Sequence, residues 1–326
     1  MAEHCRSMVF FIVLDVCLCT HNPRPEILAK VLASIQNQTV GESVFRFLLV
    51  DNASSPSLDE SLLAGFSQRG ISARIVREPM LGIARARLRA ILETDGDILL
   101  FVDDDNELTS HYIAEGMMFA SVHQDVGCFG GKLLLPPDLH PMAWVKPFLP
   151  YLAIRDIGEE PVFGKSASWG VWEPPTAGAF VRRPVLDQYV QRANSDERIF
   201  KLGRIGKKNL MSCEDSVIMR GAFMIGLSNA YNPRMILHHH LDSKRFDFWY
   251  LIRFMYAFGV SQTALEVTIN GRQAIPECYS SRMRFLRLLL GAAKGGAQQS
   301  LAFGLGLMAL RLGERTEHLR KRMGEY

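Results

Sequence analysis

The sequence lacks the features that define several common protein classes. Its six cysteines are scattered over 326 residues, without the density of a disulfide scaffold or the paired C-x-x-C spacing of a zinc site. Reduced thiols, as in the cytosol, are therefore expected. The net charge is only +3, and the first 270 residues contain no concentrated block of basic and aromatic residues. This composition argues against nucleic acid as a partner.

Two nucleotide-binding motifs and a membrane-length apolar run are also missing. No G-x-G-x-x-G follows the first predicted strand and no G-x-x-x-x-G-K-[ST] occurs, which disfavours a dinucleotide fold and a P-loop NTPase. The uncharged run Gly295 to Leu310 is shorter than the roughly 20 apolar residues of a membrane span. Met8 to Leu14 is stopped by Asp15 without a signal-type cleavage site, so we interpret it as part of the first strand.

What the sequence does contain is a regular alternation of strand and helix patterns. Four apolar runs of strand length are separated by helix-like segments, with the strands at Val9–Cys19, Phe45–Val50, Ile71–Val76 and Ile98–Val102 and the helices at Ile27–Ile35, Leu58–Phe66 and Gly82–Glu93. This alternation predicts a parallel α/β sheet with right-handed crossovers, whose ligands bind at the carboxyl ends of the strands. The polar residues that follow the first two strands, Thr20, Asn22, Asp51 and Asn52, are expected to line that crevice.

Three consecutive carboxylates, Asp103 to Asp105, follow the fourth strand. Because adjacent carboxylates repel one another, a positive group should lie beside them, either a hard divalent cation or several Lys and Arg side chains. Strand alternation would turn Asp103 and Asp105 to one side and Asp104 to the other, so that the first two share one cation. The alternative is a solvated acidic loop that caps the helix starting near Leu108.

Three other motifs each have a functional and a structural interpretation. Glu214-Asp215 either caps a helix N-terminus or provides a general base. Of the run His238 to His240, alternation allows at most His238 and His240 to serve one metal, and a structural histidine cluster is the alternative. The Trp- and Pro-rich stretch Leu133 to Pro175 either presents aromatic rings to a sugar or lipid acceptor or packs into a small core of its own.

Taken in order, these motifs resemble a family 2 glycosyltransferase of the GT-A fold. The matching stretches lie between Val9 and His240 and are Cys19-Thr20-His21-Asn22, Leu49 to Ser54, Gly82 to Arg87, Phe101 to Asn106, Cys213 to Ser216 and His238 with its neighbours. The resemblance implies a GT-A type, Rossmann-like, mostly parallel sheet with flanking helices. The expected glycosyltransferase domain covers residues 1–240, with a nucleotide-sugar half at about 9–132 and an acceptor half at about 133–240. A basic, helical extension follows at 241–326.

The resemblance also implies the role of each candidate residue. The donor is a nucleoside-diphosphate sugar, bound through Thr20, Asn22, Asp51 and Asn52, with Arg85 or Arg87 beside the diphosphate. Asp103 and Asp105 correspond to the Asp-x-Asp pair that holds Mn²⁺ or Mg²⁺, whereas Asp104 contacts the ribose. Asp215, next to Glu214, is the general base of an inverting transfer, and His238 or His240 is an additional metal ligand.

The resemblance and the basic C-terminal tail also lead to expectations about the acceptor and the location. A glycan or lipid-linked acceptor is expected, in the biosynthesis of cell-surface polysaccharide or glycoconjugate. Residues Ser281 to Tyr326 contain nine Lys and Arg against three acids, which favours a cytoplasmic protein in peripheral contact with the inner face of the cell membrane. A docked pair of C-terminal helices is the alternative interpretation of the tail.

Two other functions are alternatives to sugar transfer. A non-catalytic sugar-binding or scaffold protein of the same fold would be expected to lose acidic site residues, yet Asp51, Asp103, Asp105, Glu214 and Asp215 are all present. A sugar nucleotidyltransferase usually has a loop rich in glycine and basic residues after the first strand, and Thr20 to Glu26 contains only Arg24 and no glycine. The sequence therefore favours the glycosyltransferase.

Overall fold

The computed structural model describes residues 12–40, 44–164, 166, 169–206, 209–270 and 297–322. Within these ranges the strands are β1 (Leu14–Thr20), β2 (Phe45–Asn52), β3 (Ala73–Glu78), β4 (Ile98–Asp103), β5 (Asn106–Leu108), β6 (Val126–Leu134), β7 (Val162–Gly164), β8 (Phe180–Arg182) and β9 (Ser228–His239). The α-helices are α1 (Pro25–Gln36), α2 (Ala64–Gln68), α3 (Ile83–Leu92), α4 (Tyr112–Val122), α5 (Arg183–Ser195), α6 (Ile199–Leu202), α7 (Glu214–Met224), α8 (Phe248–Asn270) and α9 (Ala297–Arg322). Short 3₁₀ helices cover Glu60–Leu63, Ala143–Leu152 and Ser243–Phe246.

The strands form one sheet in the order β3-β2-β1-β4-β8-β6-β9-β5, with β7 paired to β9. The first four strands in this order are parallel to one another. Beyond β4 the sheet is mixed, because β8 runs antiparallel to both β4 and β6, whereas β9 is parallel to β6. Helices flank the sheet, and the predicted α/β fold class is confirmed.

Strand alternation divides the core between the two faces of the sheet. Along β1, Leu14, Val16 and Leu18 belong to one apolar cluster, which α1 covers with its own apolar stripe. Cys17 and Cys19 belong to a second cluster on the opposite face, which includes buried residues of α3, α5 and α7. Because β1 is buried on both faces, its sequence is a nearly continuous apolar run.

The two long C-terminal helices pack on each other and on the 3₁₀ helix Ala143–Leu152, around a third apolar cluster that includes Phe148, Leu251 and Phe303. Their close approach depends on glycine, since a Cβ atom on Gly313 would lie 2.0 Å from the carbonyl oxygen of Tyr256. The described part of the basic tail, α9, is therefore docked on α8, whereas residues 281–296 and 323–326 of that tail lie outside the described residues. None of the helices in the described ranges is long and apolar enough to cross a membrane.

Several predicted boundaries differ from the structure. The first strand, predicted from Val9, begins at Leu14 in the described part of the chain, and the helix predicted from Leu108 begins at Tyr112 because β5 precedes it. The helix predicted at Leu58–Phe66 is a 3₁₀ turn followed by the short α2. The strand β8 begins only at Phe180, because Gly178 just before it takes a left-handed backbone conformation with φ of 76°.

Candidate active site

A large cleft of about 1940 Å³ lies at the carboxyl ends of β1, β2 and β4. It is bounded on the other side by the N-terminus of α7, the Trp- and Pro-rich segment and the C-terminal helices. Nine of the residues predicted from the sequence line this cleft: Thr20, Asn22, Asn52, Arg87, Asp103, Asp104, Asp105, Glu214 and Asp215. Asp51, Arg85, His238 and His240 are not among its lining residues.

The acidic stretch forms a turn rather than an extended strand end. β4 ends at Asp103, and the chain turns at Asp104 and Asp105 before β5 starts at Asn106. The buried Asn106 side chain closes the turn, because its oxygen accepts a hydrogen bond from the Asp103 amide (3.2 Å) and its amide donates to the Asp105 carboxylate (3.3 Å). All three Asp residues therefore line the cleft. The predicted alternation, with Asp104 on the far side, is not observed.

Each acid of this turn has a polar or positive partner. Arg87 Nη2 lies 3.3 Å from Asp103 Oδ1, and the Thr20 hydroxyl donates to Asp104. Burial, together with the charge of the neighbouring Asp105, raises the pKa of Asp104. Burial would also raise the pKa of Asp105, but the charge and hydrogen bond of His239, 3.3 Å away, hold it well below its usual range.

The histidine that reaches the acidic turn is His239. Its Nε2 faces Asp105, and Arg245 Nη2 lies 3.7 Å from the other oxygen of the same carboxylate. The sequence predicts His238 or His240 as the histidine of the metal site, one position away from His239 along the strand. In β9, His239 pairs with Asn106 of β5. Because side chains alternate along a strand, His239 lines the cleft and its neighbours His238 and His240 do not. His240 instead contacts Glu107, at 2.6 Å between Nε2 and Oε2.

Asp51 and Asn52 hold the loops that surround the cleft. The buried Asp51 carboxylate accepts hydrogen bonds from the backbone amides of Ser54 (2.9 Å) and Leu58 (3.2 Å). Burial opposes its ionisation, yet these hydrogen bonds leave the pKa of Asp51 lowered. The Asn52 side chain accepts from the Gly82 amide at 2.8 Å, which ties the start of α3 to the end of β2. The sequence did not reveal this structural use of both side chains.

The two candidate arginines of α3 have different environments. Arg85 lies outside the cleft lining, with its guanidinium 4.3 Å from the centre of the Phe200 ring. Arg87 is buried, and its two terminal nitrogens are directed to Glu214 on α7 and to Asp103 on β4. Arg87 therefore joins the acidic turn to the N-terminus of α7. Of the two, only Arg87 lines the cleft, next to Asp103, and its place beside the diphosphate stays a prediction.

Glu214 and Asp215 form the first turn of α7, which follows Cys213 in a left-handed backbone conformation with φ of 79°. The Asp215 carboxylate accepts a hydrogen bond from the Ser216 amide at 2.9 Å, as an acid in the first turn of a helix commonly does. Burial is the main cause that raises the pKa of both acids. A carboxylate with a raised pKa at the wall of a cleft is suited to accept a proton.

Sequence reasoning missed a second buried ion pair beside Asp215. Glu173, from the Trp- and Pro-rich segment, accepts from the Ser216 hydroxyl and from Arg220 Nε, the latter at 3.1 Å. Arg220 Nη1 also donates to Glu266 of α8 at 2.8 Å. Glu173 and Arg220 line the cleft. A lone acid in an irregular segment carries no local pattern, so only the three-dimensional arrangement identifies Glu173.

The comparison with protein families decides the class of this protein. The model of glycosyl transferase family 2 matches residues 15–189, which is more than half of the chain. The chain belongs to glycosyl transferase family 2. The resemblance noted from the sequence is thereby confirmed, and the protein is a glycosyltransferase. The matched range includes β1 to β4 and the acidic turn.

Solved structures are similar to the chain at low sequence identity, and the first described here has the same fold. The mannosyltransferase PcManGT from Pyrobaculum calidifontis, in complex with GDP-Man and Mn²⁺, is 15% identical, with a TM-score of 0.58 over 94% of this chain and 87% of that chain. The S. aureus TarS 1-349 structure is 12% identical, with a TM-score of 0.48 over 97% of this chain and 93% of that chain. No curated protein sequence matched the chain.

Proposed function

We propose that this glycosyltransferase moves a sugar from a nucleoside-diphosphate sugar to a glycan or lipid-linked acceptor, with inversion and with Mn²⁺ or Mg²⁺. The observation that carries the proposal is the presence, in one cleft of a family 2 transferase, of the acidic turn Asp103–Asp105 and the buried acid Asp215. The acidic turn is suited to hold the cation of the charged donor, and Asp215 is suited to accept the proton of the acceptor hydroxyl. The complex of PcManGT with GDP-Man and Mn²⁺ supports this choice of donor class and metal.

The residues of the acidic turn fit a divalent cation. Among the residues described, no group of three or more His, Cys, Asp and Glu side chains could hold a metal unaided, so oxygens of the diphosphate would complete the shell. Asp103 retains 30% exposure of its side chain, and the carboxylate oxygen of Asp105 lies 3.3 Å from His239 Nε2. Carboxylate oxygens are hard donors of the kind that Mg²⁺ and Mn²⁺ prefer. We propose Asp103 and Asp105 as the ligands that the protein provides, with His239 holding the Asp105 carboxylate.

In this proposal the protein's own groups position both reactants. When bound, the cation offsets the charge that develops on the departing nucleoside diphosphate. Thr20 holds Asp104 at the donor side, and Asn22 and Asn52 shape the adjoining loops. Asp215 accepts the proton of the acceptor hydroxyl, while Arg87 pairs with the neighbouring Glu214 and so fixes the first turn of α7. Glu214 is thus a positioning residue.

We further propose that the C-terminal helices contact an anionic membrane surface. On α9, Leu305, Met308 and Leu312 are 41%, 59% and 59% exposed and share one helix face. Arg315 and Arg320 are exposed on the turns that follow. An apolar stripe beside cations is the pattern of an interfacial helix. We keep the division predicted from the sequence, a transferase domain at residues 1–240 and an extension at 241–326, as part of this proposal.

The test is calorimetric titration of a panel of nucleoside diphosphates into the purified protein, with Mn²⁺ and with EDTA. We expect one nucleotide to bind with Mn²⁺, and we expect Asp105→Ala or EDTA to weaken that binding by at least about tenfold, the equivalent of one charge-assisted contact. Asp125→Ala, which removes an exposed acid outside the cleft, is the control and should bind as the wild type does. Folded protein that binds no nucleotide would support the scaffold alternative instead.

A further inference from the structure

One indole ring of the Trp- and Pro-rich segment stands open on the wall of the cleft. Trp169 is 67% exposed and lines the cavity. Trp144 and Trp172 behave differently, because Trp144 packs between Phe148 and Phe248, and Trp172 lies against the backbone of Gly164 and Gly170. Burial of a large aromatic surface is strongly favourable. A ring left open inside a cleft is therefore a candidate binding surface.

Trp169 is tied to the candidate base through a short chain of contacts. The Glu173 amide donates to the Gly170 carbonyl at 3.0 Å, so the residue after Trp169 starts a tight turn that ends at Glu173. The Glu173 side chain then accepts from the Ser216 hydroxyl, and Ser216 is the neighbour of Asp215. One hydrogen-bonded turn and one side-chain contact thus connect the segment that carries Trp169 to the helix turn that carries Asp215.

The segment that carries Trp169 is also held from the other side. Arg155 Nη2 donates to the Val171 carbonyl and Arg155 Nη1 to the Glu173 carbonyl, both at 2.8 Å. The Arg155 guanidinium lies 5.2 Å from the Tyr231 ring centre, which fixes it to β9. Trp169 is therefore presented by an anchored turn. A binding surface of this kind is already shaped before its ligand arrives.

The surroundings of Trp169 match a sugar better than an acyl chain. Asp156 lines the same cleft, and its side chain keeps 48% exposure beside Lys132, so its carboxylate can accept a hydrogen bond from a sugar hydroxyl. An acyl chain laid on this wall would cover that carboxylate without offering it a hydrogen-bond donor. The C–H face of a pyranose ring offers the apolar contact that an indole face prefers, while its equatorial hydroxyls remain free for the neighbouring polar groups.

We propose that Trp169 is the stacking platform for a pyranose ring of a saccharide acceptor, positioned so that an acceptor hydroxyl faces Asp215. The inference rests on the proposed transferase function and names its acceptor class. It assigns the Trp- and Pro-rich segment to acceptor recognition and Glu173 to the positioning of that segment against α7.

The experiment compares wild type, Trp169→Ala, Trp169→Phe and Trp249→Ala on an array of defined oligosaccharides, with the nucleoside diphosphate found by calorimetry present at saturation. Trp249 is the matched control, since it is 68% exposed but lies outside the cleft lining. We expect wild type and Trp249→Ala to bind the same saccharides. Trp169→Ala should bind them about tenfold more weakly or more, and Trp169→Phe should retain part of the affinity.

Two results would overturn the inference: equal saccharide binding by Trp169→Ala and wild type, or no saccharide bound by wild type at all. Nucleotide titration of each variant separates this failure from that of the proposed function. A protein that binds its nucleotide through Asp105 but no saccharide through Trp169 refutes only the acceptor subsite. Trp169→Ala should bind the nucleotide as the wild type does, because the proposal assigns the nucleotide to the acidic turn and the Trp169 ring to the acceptor.

Discussion

Asp215 sits between two buried ion pairs. On one side Glu214 pairs with Arg87, and on the other Ser216 and Arg220 pair with Glu173. Burying such pairs brings little net stability, because desolvation of the charges offsets their attraction. Their value lies in orientation, since each pair joins α7 to a different element and fixes where the Asp215 carboxylate can lie. The orientation of Asp215, rather than stability, therefore accounts for the charges buried around the first turn of α7.

The raised pKa of Asp215 leads to a prediction about stability. A carboxyl group whose folded pKa exceeds its unfolded pKa, about 4, stabilises the fold fully only below that value, and the contribution is lost as pH rises through the folded pKa. We therefore expect Asp215→Asn to be more stable than the wild type at pH 8 and to lose this advantage by about pH 4. Urea denaturation at both pH values measures the difference.

Asp51→Asn is the control with the opposite sign. Hydrogen bonds from Ser54 outweigh burial and lower the pKa of Asp51, so its charge stabilises the fold above its unfolded pKa and ceases to do so as pH falls through the folded value. Asp51→Asn should therefore be less stable than wild type at pH 8, and this difference in the free energy of unfolding should be smaller at low pH. A loss of stability in Asp215→Asn that is the same at pH 8 and pH 4 would contradict the assignment.

The limits of sequence reasoning at the residue scale follow from local geometry. Acids placed after buried strands could be found, because the pattern of an apolar run followed by Asp is local, and Asp103 to Asp105 do line the cleft. The choice among His238, His239 and His240 depended on the strand register, which is set by pairing with β5. Glu173 and Arg245 reach the site only through tertiary contacts, so no local pattern marks them.

At the scale of elements, the parallel half of the sheet was predictable and the mixed half was not. The strands β1, β2 and β4 are largely apolar runs buried on both faces, whereas the edge strand β3 is only partly buried, and the order of alternation with helices identifies all four. By contrast, β5 and β7 have only three residues each. The long β9 contains Asn229, Asn232 and Pro233 and does not resemble a core strand in sequence.

The packing of α8 on α9 gives a prediction at this scale. Gly→Ala within a helix normally stabilises it by about 1 kcal/mol, but a Cβ on Gly313 would lie 2.0 Å from the Tyr256 carbonyl oxygen. We expect Gly313→Ala to destabilise the protein by about 1–3 kcal/mol, because the helices must separate. Urea denaturation and limited proteolysis at α9 measure this effect.

Arg315→Ala is the control for this substitution. Arg315 is an exposed residue of the same helix, and its removal should change the free energy of unfolding by no more than about 0.5 kcal/mol. If Gly313→Ala instead gained stability, as helix propensity alone predicts, α8 and α9 would not be packed at this contact.

In the whole molecule, the cleft is built from parts that lie far apart in the sequence. The acidic turn ends a strand of the parallel half, Asp215 lies in the first turn of α7, and Arg253 and Arg311 of the two long helices line the same cavity. The C-terminal helices thus form one wall of the site. A surface on which they rest would therefore lie next to the cleft, where a lipid-linked acceptor could enter.

Binding to a membrane surface is the prediction that belongs to this scale. We expect the protein to co-sediment with vesicles containing anionic phospholipid, but not with neutral vesicles, and to be released by salt. Serine at Leu305, Met308 and Leu312 together should weaken binding roughly tenfold or more, because three exposed apolar side chains would no longer enter the interface. Serine at Met118 and Val122, which are 56% and 69% exposed on α4, is the control. Equal sedimentation of both variants would show that the α9 face does not contact the membrane, and an acceptor presented in solution would then be favoured.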